Sequence, residues 1–235
     1  GPMLILAGAG SGKTKTLTHR IANIIAHRTP SEAILAVTFT NKAAREMRER
    51  LAELLERDAN DRFFMPWMGT FHGICVKILR LKGEAIGVAN NFVIYDEDDR
   101  RSSIKKIMKD LKIDEKSLKP QSVSSAISNA KNQLLTAEEF SNGANWGFEQ
   151  KVAEIFLRYE EERNKANALD FDDLLFETVK LLQQNKEVRE FWQNKFKHIL
   201  IDEYQDTNAA QYAIIKMIVN TDQNICVVGD DWQSI

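Results

Sequence analysis

The residues best suited to chemistry lie near the start of the chain, in Ala7-Gly8-Ala9-Gly10-Ser11-Gly12-Lys13-Thr14. Glycines at this density let backbone N–H groups converge on phosphate oxygens at a helix N-terminus, where the helix dipole favours an anion. Lys13 would place a point charge on the β- and γ-phosphates, and Thr14 an oxygen on Mg²⁺. The expected ligands are therefore ATP and Mg²⁺, held by Ala9, Gly10, Ser11, Gly12, Lys13 and Thr14. Ala7 stands where the usual pattern has its first glycine. A Gly-rich turn that binds nothing is the competing reading, and a strand before the loop with a helix after it argues against that.

A second constellation follows far downstream. Ile199-Leu200-Ile201 is an apolar strand that delivers Asp202 and Glu203 to its C-terminal end. There Asp202 can hold Mg²⁺, usually through water, and Glu203 is a candidate general base for an attacking water. Taken alone, an apolar run ending in Asp-Glu is usually only a strand end. Behind a phosphate loop in one α/β domain, the functional reading is preferred.

Those two constellations need a scaffold. Residues 3–7 form an apolar run into the loop, and Leu17, Ile21, Ile24 and Ile25 repeat at helical spacing until Thr29-Pro30-Ser31. Residues 33–39 read as a buried strand and 42–56 as an amphipathic helix with Ala44, Met47, Leu51, Leu54 and Leu55 inward. Residues 67–70 read as a third strand, before a helix carrying Ile74, Ile78 and Leu81. This alternation predicts an α/β fold: a parallel sheet with helices on both faces. From 96 to about 167 the pattern is mostly helical, broken at Lys119-Pro120 and Ser141-Asn142-Gly143. Strand patterns resume at 197–202 and 224–228, around a helix at 209–219. The expected division is residues 1–90 and 168–235 for the sheet domain and 91–167 for an inserted helical subdomain.

The 235 residues carry 43% hydrophobic and 28% charged residues and a net charge of −2, which excludes a chain that is basic throughout but not a local basic groove. Cys75 and Cys226 are far apart and lack His or Cys neighbours at ligand spacing, so reduced thiols in a cytoplasmic protein are expected. No apolar run reaches membrane-spanning length, so no membrane partner is expected. The chain opens one strand before the loop and stops inside an apparent motif, which reads as part of a longer protein.

Six segments occur in order: residues 7–14, Val37-Thr38-Phe39-Thr40-Asn41-Lys42-Ala43-Ala44, Gly69-Thr70-Phe71-His72, Asp170-Phe171-Asp172-Asp173, Asp202-Glu203-Tyr204-Gln205-Asp206 and Gly229-Asp230-Asp231-Trp232-Gln233-Ser234-Ile235. Together they resemble the UvrD/PcrA/Rep group of superfamily 1 DNA helicases, across essentially the whole chain. The resemblance implies a P-loop NTPase whose sheet is the first RecA-like motor domain, with the helical insertion as its accessory subdomain. A second RecA-like domain, bearing arginines that complete the ATP site, would follow Ile235. Gln205 and Gln233 would match glutamines near the γ-phosphate and attacking water, joining Lys13 and Glu203 as catalytic residues. Lys15 would sit where relatives often carry an Arg that packs on the base, a non-equivalent exchange because Lys lacks a planar face. The family's adenine-reading glutamine segment is not in this sequence, and Trp232 stands where an acidic residue is commoner.

By the same resemblance, Thr38, Phe39, Thr40, Asn41, Lys42, Thr70, Phe71 and His72 would touch single-stranded DNA. Hydroxyls, an amide, a cation and aromatics at strand ends suit phosphate contacts and base stacking. Core packing of both rings and helix capping by the hydroxyls is the competing reading. Between Arg100 and Lys119, eight basic residues stand against three acidic ones, either a solvated face or a duplex-facing surface. Asp170 to Asp173 reads as an N-cap with an acidic first turn, without chemistry. The expected function is the N-terminal, ATP-binding part of an ATP-dependent DNA helicase, with single-stranded and duplex DNA as partners. The motor of a helicase–nuclease complex and a nucleotide-gated DNA-binding module are the alternatives.

Overall fold

The protein is described by a computed structural model covering residues 1–8 and 10–230. The chain divides into two compact units, Gly1–Lys77 with Leu182–Ile235, and Ile78–Leu181. These junctions lie at 77/78 and 181/182, against 90/91 and 167/168 in the reading of the sequence.

In chain order the first unit begins with β1 (Met3–Leu6), α1 (Lys13–Ala26), β2 (Ile34–Thr38), α2 (Asn41–Leu54), β3 (Met68–Thr70) and the start of α3 (Phe71–Lys82). The second unit adds β4 (Val93–Ile94), α4 (Glu97–Asp110), α5 (Pro120–Asn132), α6 (Ala137–Gly143), α7 (Phe148–Lys165), β5 (Ala168–Leu169) and most of α8 (Phe171–Gln184). The chain then returns to the first unit with α9 (Lys186–Lys195), β6 (His198–Ile201), α10 (Ala209–Ile218) and β7 (Ile225–Gly229).

The first unit is built on a five-stranded sheet in the order β1-β7-β6-β2-β3, with every pairing parallel. Every residue of β2, Ile-Leu-Ala-Val-Thr, is buried, as a strand covered on both faces requires. Leu17 and Ile21 of α1 and Met47 and Leu51 of α2 pack with Ala36, Leu200, Cys226 and Val228 in one core. Leu54, read from the sequence as inward, and Leu81, read as part of an apolar helical pattern, are 45% and 62% exposed. Each sits in the last turn of its helix, where the apolar stripe runs out.

The second unit has its own core, Ile104, Ile107, Met108, Val123, Ile127, Val152, Ile155, Phe156 and Tyr159. Pro120 opens α5 at a position where its missing N–H costs nothing. The break expected at Ser141-Asn142-Gly143 falls later, because α6 runs through Gly143 and the turn comes at Gly147, φ 56°. Two-residue strands β4 and β5 pair in parallel, too short to leave a sequence pattern.

Asp170 and Asp173 do form a reciprocal cap, each accepting the other's backbone N–H at 2.9 Å. They also do more. Lys131 Nζ lies 3.0 Å from Asp170, 2.6 Å from Asp173 and 2.8 Å from Glu160, and Tyr159 Oη donates to Asp170 at 2.9 Å. Arg163 lies 3.0 Å from Asp173 and donates to the Ala168 carbonyl at 2.7 Å. Arg100, counted in the sequence within a basic run, is 2% exposed and donates to Asp172 at 2.7 Å. Burial pushes the Asp173 carboxyl up to about 8. Burial acts the same way on Asp170, but Lys131 and Arg100 overcome it and hold that carboxyl well below the usual range.

Candidate nucleotide site

Three parallel strands deliver the site from their C-terminal ends, where ligands of open α/β sheets bind. After β1 the chain turns through Gly10 (φ 76°) and Gly12 (φ 88°), left-handed conformations that a side chain would strain. Ser11 closes the turn, its hydroxyl donating to the Gly8 carbonyl at 2.6 Å. Gly12 caps α1 without a side-chain acceptor, so the helix begins with N–H groups available to an anion.

Asp202 follows β6 and is 2% exposed. Its Oδ2 accepts the Thr14 hydroxyl at 2.9 Å, and its backbone N–H donates to Val37 across the sheet at 2.9 Å. Burial pushes the Asp202 carboxyl up and Glu203 adds to this, while the Thr14 hydrogen bond opposes it. Glu203 turns out of the strand at φ 49°. Lys13, 8% exposed, reaches Glu203 Oε2 at 3.2 Å and Asp230 Oδ2 at 3.7 Å. Gln205 bridges the same groups: its Nε2 donates to Glu203 Oε2 at 2.7 Å, and its Oε1 accepts the Asp230 N–H at 3.1 Å. Gly229 makes room for that bridge, since a Cβ there would stand 3.0 Å from Gln205 Oε1.

A cavity of about 350 Å³ lies over this network, lined by Gly10, Gly12, Lys13, Thr14, Lys15, Arg50 and Glu203. Lys15 and Arg50 also line a neighbouring cavity of about 740 Å³ with Thr18, His19, Glu53 and Leu54. Two of these residues escaped the reading of the sequence. Asp230 stood inside the motif that opens at Gly229, but carried no role of its own in that reading. Arg50 looked like one charge among many on the polar face of α2. Ala9 and Gln233 lie outside the described residues.

Among the described residues no group of three or more His, Cys, Asp or Glu could hold a metal ion. What is present is one hydroxyl and one carboxylate, Thr14 and Asp202. That donor set fits Mg²⁺, which binds through one or two protein oxygens together with phosphate and water oxygens.

The residues expected to meet DNA divide by exposure. Thr38 and Phe71 are 1% and 4% exposed. The Thr38 hydroxyl donates to the Thr40 carbonyl at 3.1 Å, and Phe71 meets Phe39 edge-on at 5.8 Å. The Thr40 side chain caps α2. Phe39, Thr70 and His72 are half-buried; Thr40, Asn41 and Lys42 are exposed.

The sequence profile described as "UvrD/REP helicase N-terminal domain" matches residues 1–235. The chain belongs to the UvrD/REP helicase family. This UvrD/REP chain is 49% identical over 237 residues to the ATP-dependent DNA helicase PcrA of Bacillus subtilis, covering 100% of the chain and 31% of that protein. It is 47% identical over 236 residues to the PcrA proteins of Staphylococcus epidermidis and Staphylococcus aureus, covering 100% of the chain and 32% of each. The chain thus spans about a third of the length of these curated relatives and is homologous to their N-terminal portion. As a UvrD/REP domain it has the α/β fold expected, a parallel sheet flanked by helices. Among the described residues no helix is long and apolar enough to cross a membrane.

Proposed function

We infer that the chain is the ATP-binding part of a helicase motor that moves on single-stranded DNA and unwinds duplex. The observation that carries this is the joining of Lys13, Glu203, Gln205 and Asp230 in one network beside the Thr14–Asp202 pair. In this reading Lys13 exchanges Glu203 for the β- and γ-phosphates when ATP enters. That frees Glu203 to take a proton from the attacking water, with Gln205 and Gln233 positioning that water. Thr14 and Asp202 would hold Mg²⁺, which would supply charge neutralisation for the transferring phosphoryl group. Gly10, Ser11, Gly12 and the start of α1 cradle the phosphates, and Lys15 and Arg50 lie along the path to the base.

Single-stranded DNA would run over the strand ends that expose Phe39, Thr40, Asn41, Lys42, Thr70 and His72, while Thr38 and Phe71 hold that surface from below. The unit Ile78–Leu181 would be the accessory subdomain, its exposed Lys105, Lys109, Lys112, Lys116 and Lys119 serving duplex DNA. A second RecA-like domain of the same parent chain would supply the arginines, and the protein would work in the cytoplasm.

Titration calorimetry of the 235-residue chain with Mg²⁺·ATP tests this reading. Weak saturable binding that Lys13→Ala reduces by about tenfold or more supports it. Identical affinity in both proteins overturns it.

A further inference from the structure

We propose that Arg48 is a positioning residue for single-stranded DNA: it grips the chain that leads into β3 and so fixes where Thr70, Phe71 and His72 stand. The inference rests on the reading that DNA crosses the ends of β2 and β3.

Strand β3 needs an outside fixture. It is an edge strand of three residues, paired with β2 alone through Ala36↔Met68, Val37↔Gly69 and Thr38↔Thr70. Met68 is its one core side chain, and Gly69 at its centre has none. A strand this short with a central glycine specifies its own register weakly, and a slip of one residue turns every side chain to the other face. Thr70 ends the strand and Phe71 opens α3, so this register sets the edge-on contact of Phe71 with Phe39 at 5.8 Å.

The fixture comes from α2. The Arg48 guanidinium donates to the carbonyls of Phe64, of Met65 at 2.7 Å and of Met68 at 3.4 Å. From α3, Lys77 Nζ donates to the Pro66 carbonyl at 2.6 Å and lies 5.9 Å from the centre of the Trp67 ring. The Trp67 carbonyl accepts the Ala36 N–H at 3.0 Å. All five carbonyls from Phe64 to Met68 are therefore held, three of them by one side chain. Met65 sits at φ 49°, a left-handed conformation that a bulky residue keeps only where its surroundings enforce it.

Partial burial holds both cations below their ordinary values, and Arg48 lowers Lys77 further. Setting two like charges on one stretch of chain is costly. What it yields is geometry, because the planar fork of Arg48 fixes three carbonyls at once, as an ammonium could not.

The test uses the 235-residue chain, a fluorescein-labelled oligothymidine read by anisotropy, and amide and aromatic NMR. Arg48→Met should weaken oligothymidine binding by about tenfold, the worth of one stacked base. It should also shift the Gly69 and Thr70 amides and weaken the NOE between the Phe39 and Phe71 rings. Arg48→Lys keeps the charge but loses the fork, so it should recover little of either signal. Ile21→Val, a core change on α1, controls for lost stability and should leave DNA binding and both amides unaltered. Lys77→Met frees a single carbonyl and should give a smaller loss in the same direction. It also serves if Arg48→Met does not fold, and unshifted Gly69 and Thr70 amides in it would count against the proposal. Parent-like binding by Arg48→Met, lost binding without those amide shifts, or full recovery in Arg48→Lys overturns the positioning role while the DNA reading stands. Failure of the parent chain itself to bind oligothymidine overturns the DNA reading, and the positioning role with it.

Discussion

Lys13 Nζ stands 3.2 Å from Glu203 Oε2, so the cation proposed for the phosphates and the base proposed for water are bound to each other. Gln205 holds the same Glu203 oxygen at 2.7 Å. In this arrangement neither Lys13 nor Glu203 is free to act, and phosphate entry would release both.

Glu203→Gln should therefore separate binding from hydrolysis. Loss of the ion pair frees Lys13, so ATP affinity should hold or rise in calorimetry. Single-turnover phosphate release should fall by about 10²–10⁴, the usual worth of a general base. A large fall in affinity would show that Glu203 organises the loop instead.

Gly229→Ala probes Gln205 from behind. The new Cβ would come 3.0 Å from Gln205 Oε1 and displace it from the Asp230 N–H. Phosphate release should slow while ATP affinity changes little. Unaltered release with an intact fold would remove Gln205 from the proposed chemistry.

Phe39 and Phe71 touch, yet their variants should behave differently. Phe39 is half-buried at a strand end, so Phe39→Ala should cost about 1–3 kcal/mol in oligothymidine binding if a base stacks there. Phe71 is 4% exposed, and Phe71→Ala should cost about 3–5 kcal/mol of folding stability. Fluorescence anisotropy and urea unfolding on both variants distinguish the two roles.

The Asp170–Asp173 cap should leave its mark on stability against pH. Asp173 is raised from 3.8 to about 8, so the native state binds a proton there that the unfolded chain releases. Its stabilising contribution is complete below about pH 4 and is lost as pH rises towards about 8. Asp170 is shifted down, so its contribution is present above its ordinary value and is lost on acidification. The urea midpoint should fall between about pH 5 and pH 8, and Asp173→Asn should flatten that slope. An unchanged slope in the variant would mean another group titrates.

Much of the scaffold was legible because period and punctuation agreed. The buried run of β2, the apolar approach to Asp202 and the glycines before Lys13 each announced an element and its end. The two-residue strands β4 and β5 were not legible, since a pairing that short has no period. The nucleotide loop and the Asp-Glu pair were readable as types at fixed spacing. Arg50 was not, because only the packing of α2 beside α1 brings it to the loop. Nor was the burial of Arg100 and Lys131, which depends on carboxylates some 40 to 70 positions away in sequence.

One strand, β7, lies between β1 and β6 in the sheet. Neighbouring strands stand about 4.7–4.9 Å apart, so the backbone ends of β1 and β6 are set roughly 9–10 Å from one another, a gap across which Lys13 and Thr14 reach Glu203 and Asp202. The sheet acts as a gauge block: it fixes the jaw opening of the nucleotide slot in whole strand widths. Side chains can tune the grip within that opening, but no single substitution can change the gauge.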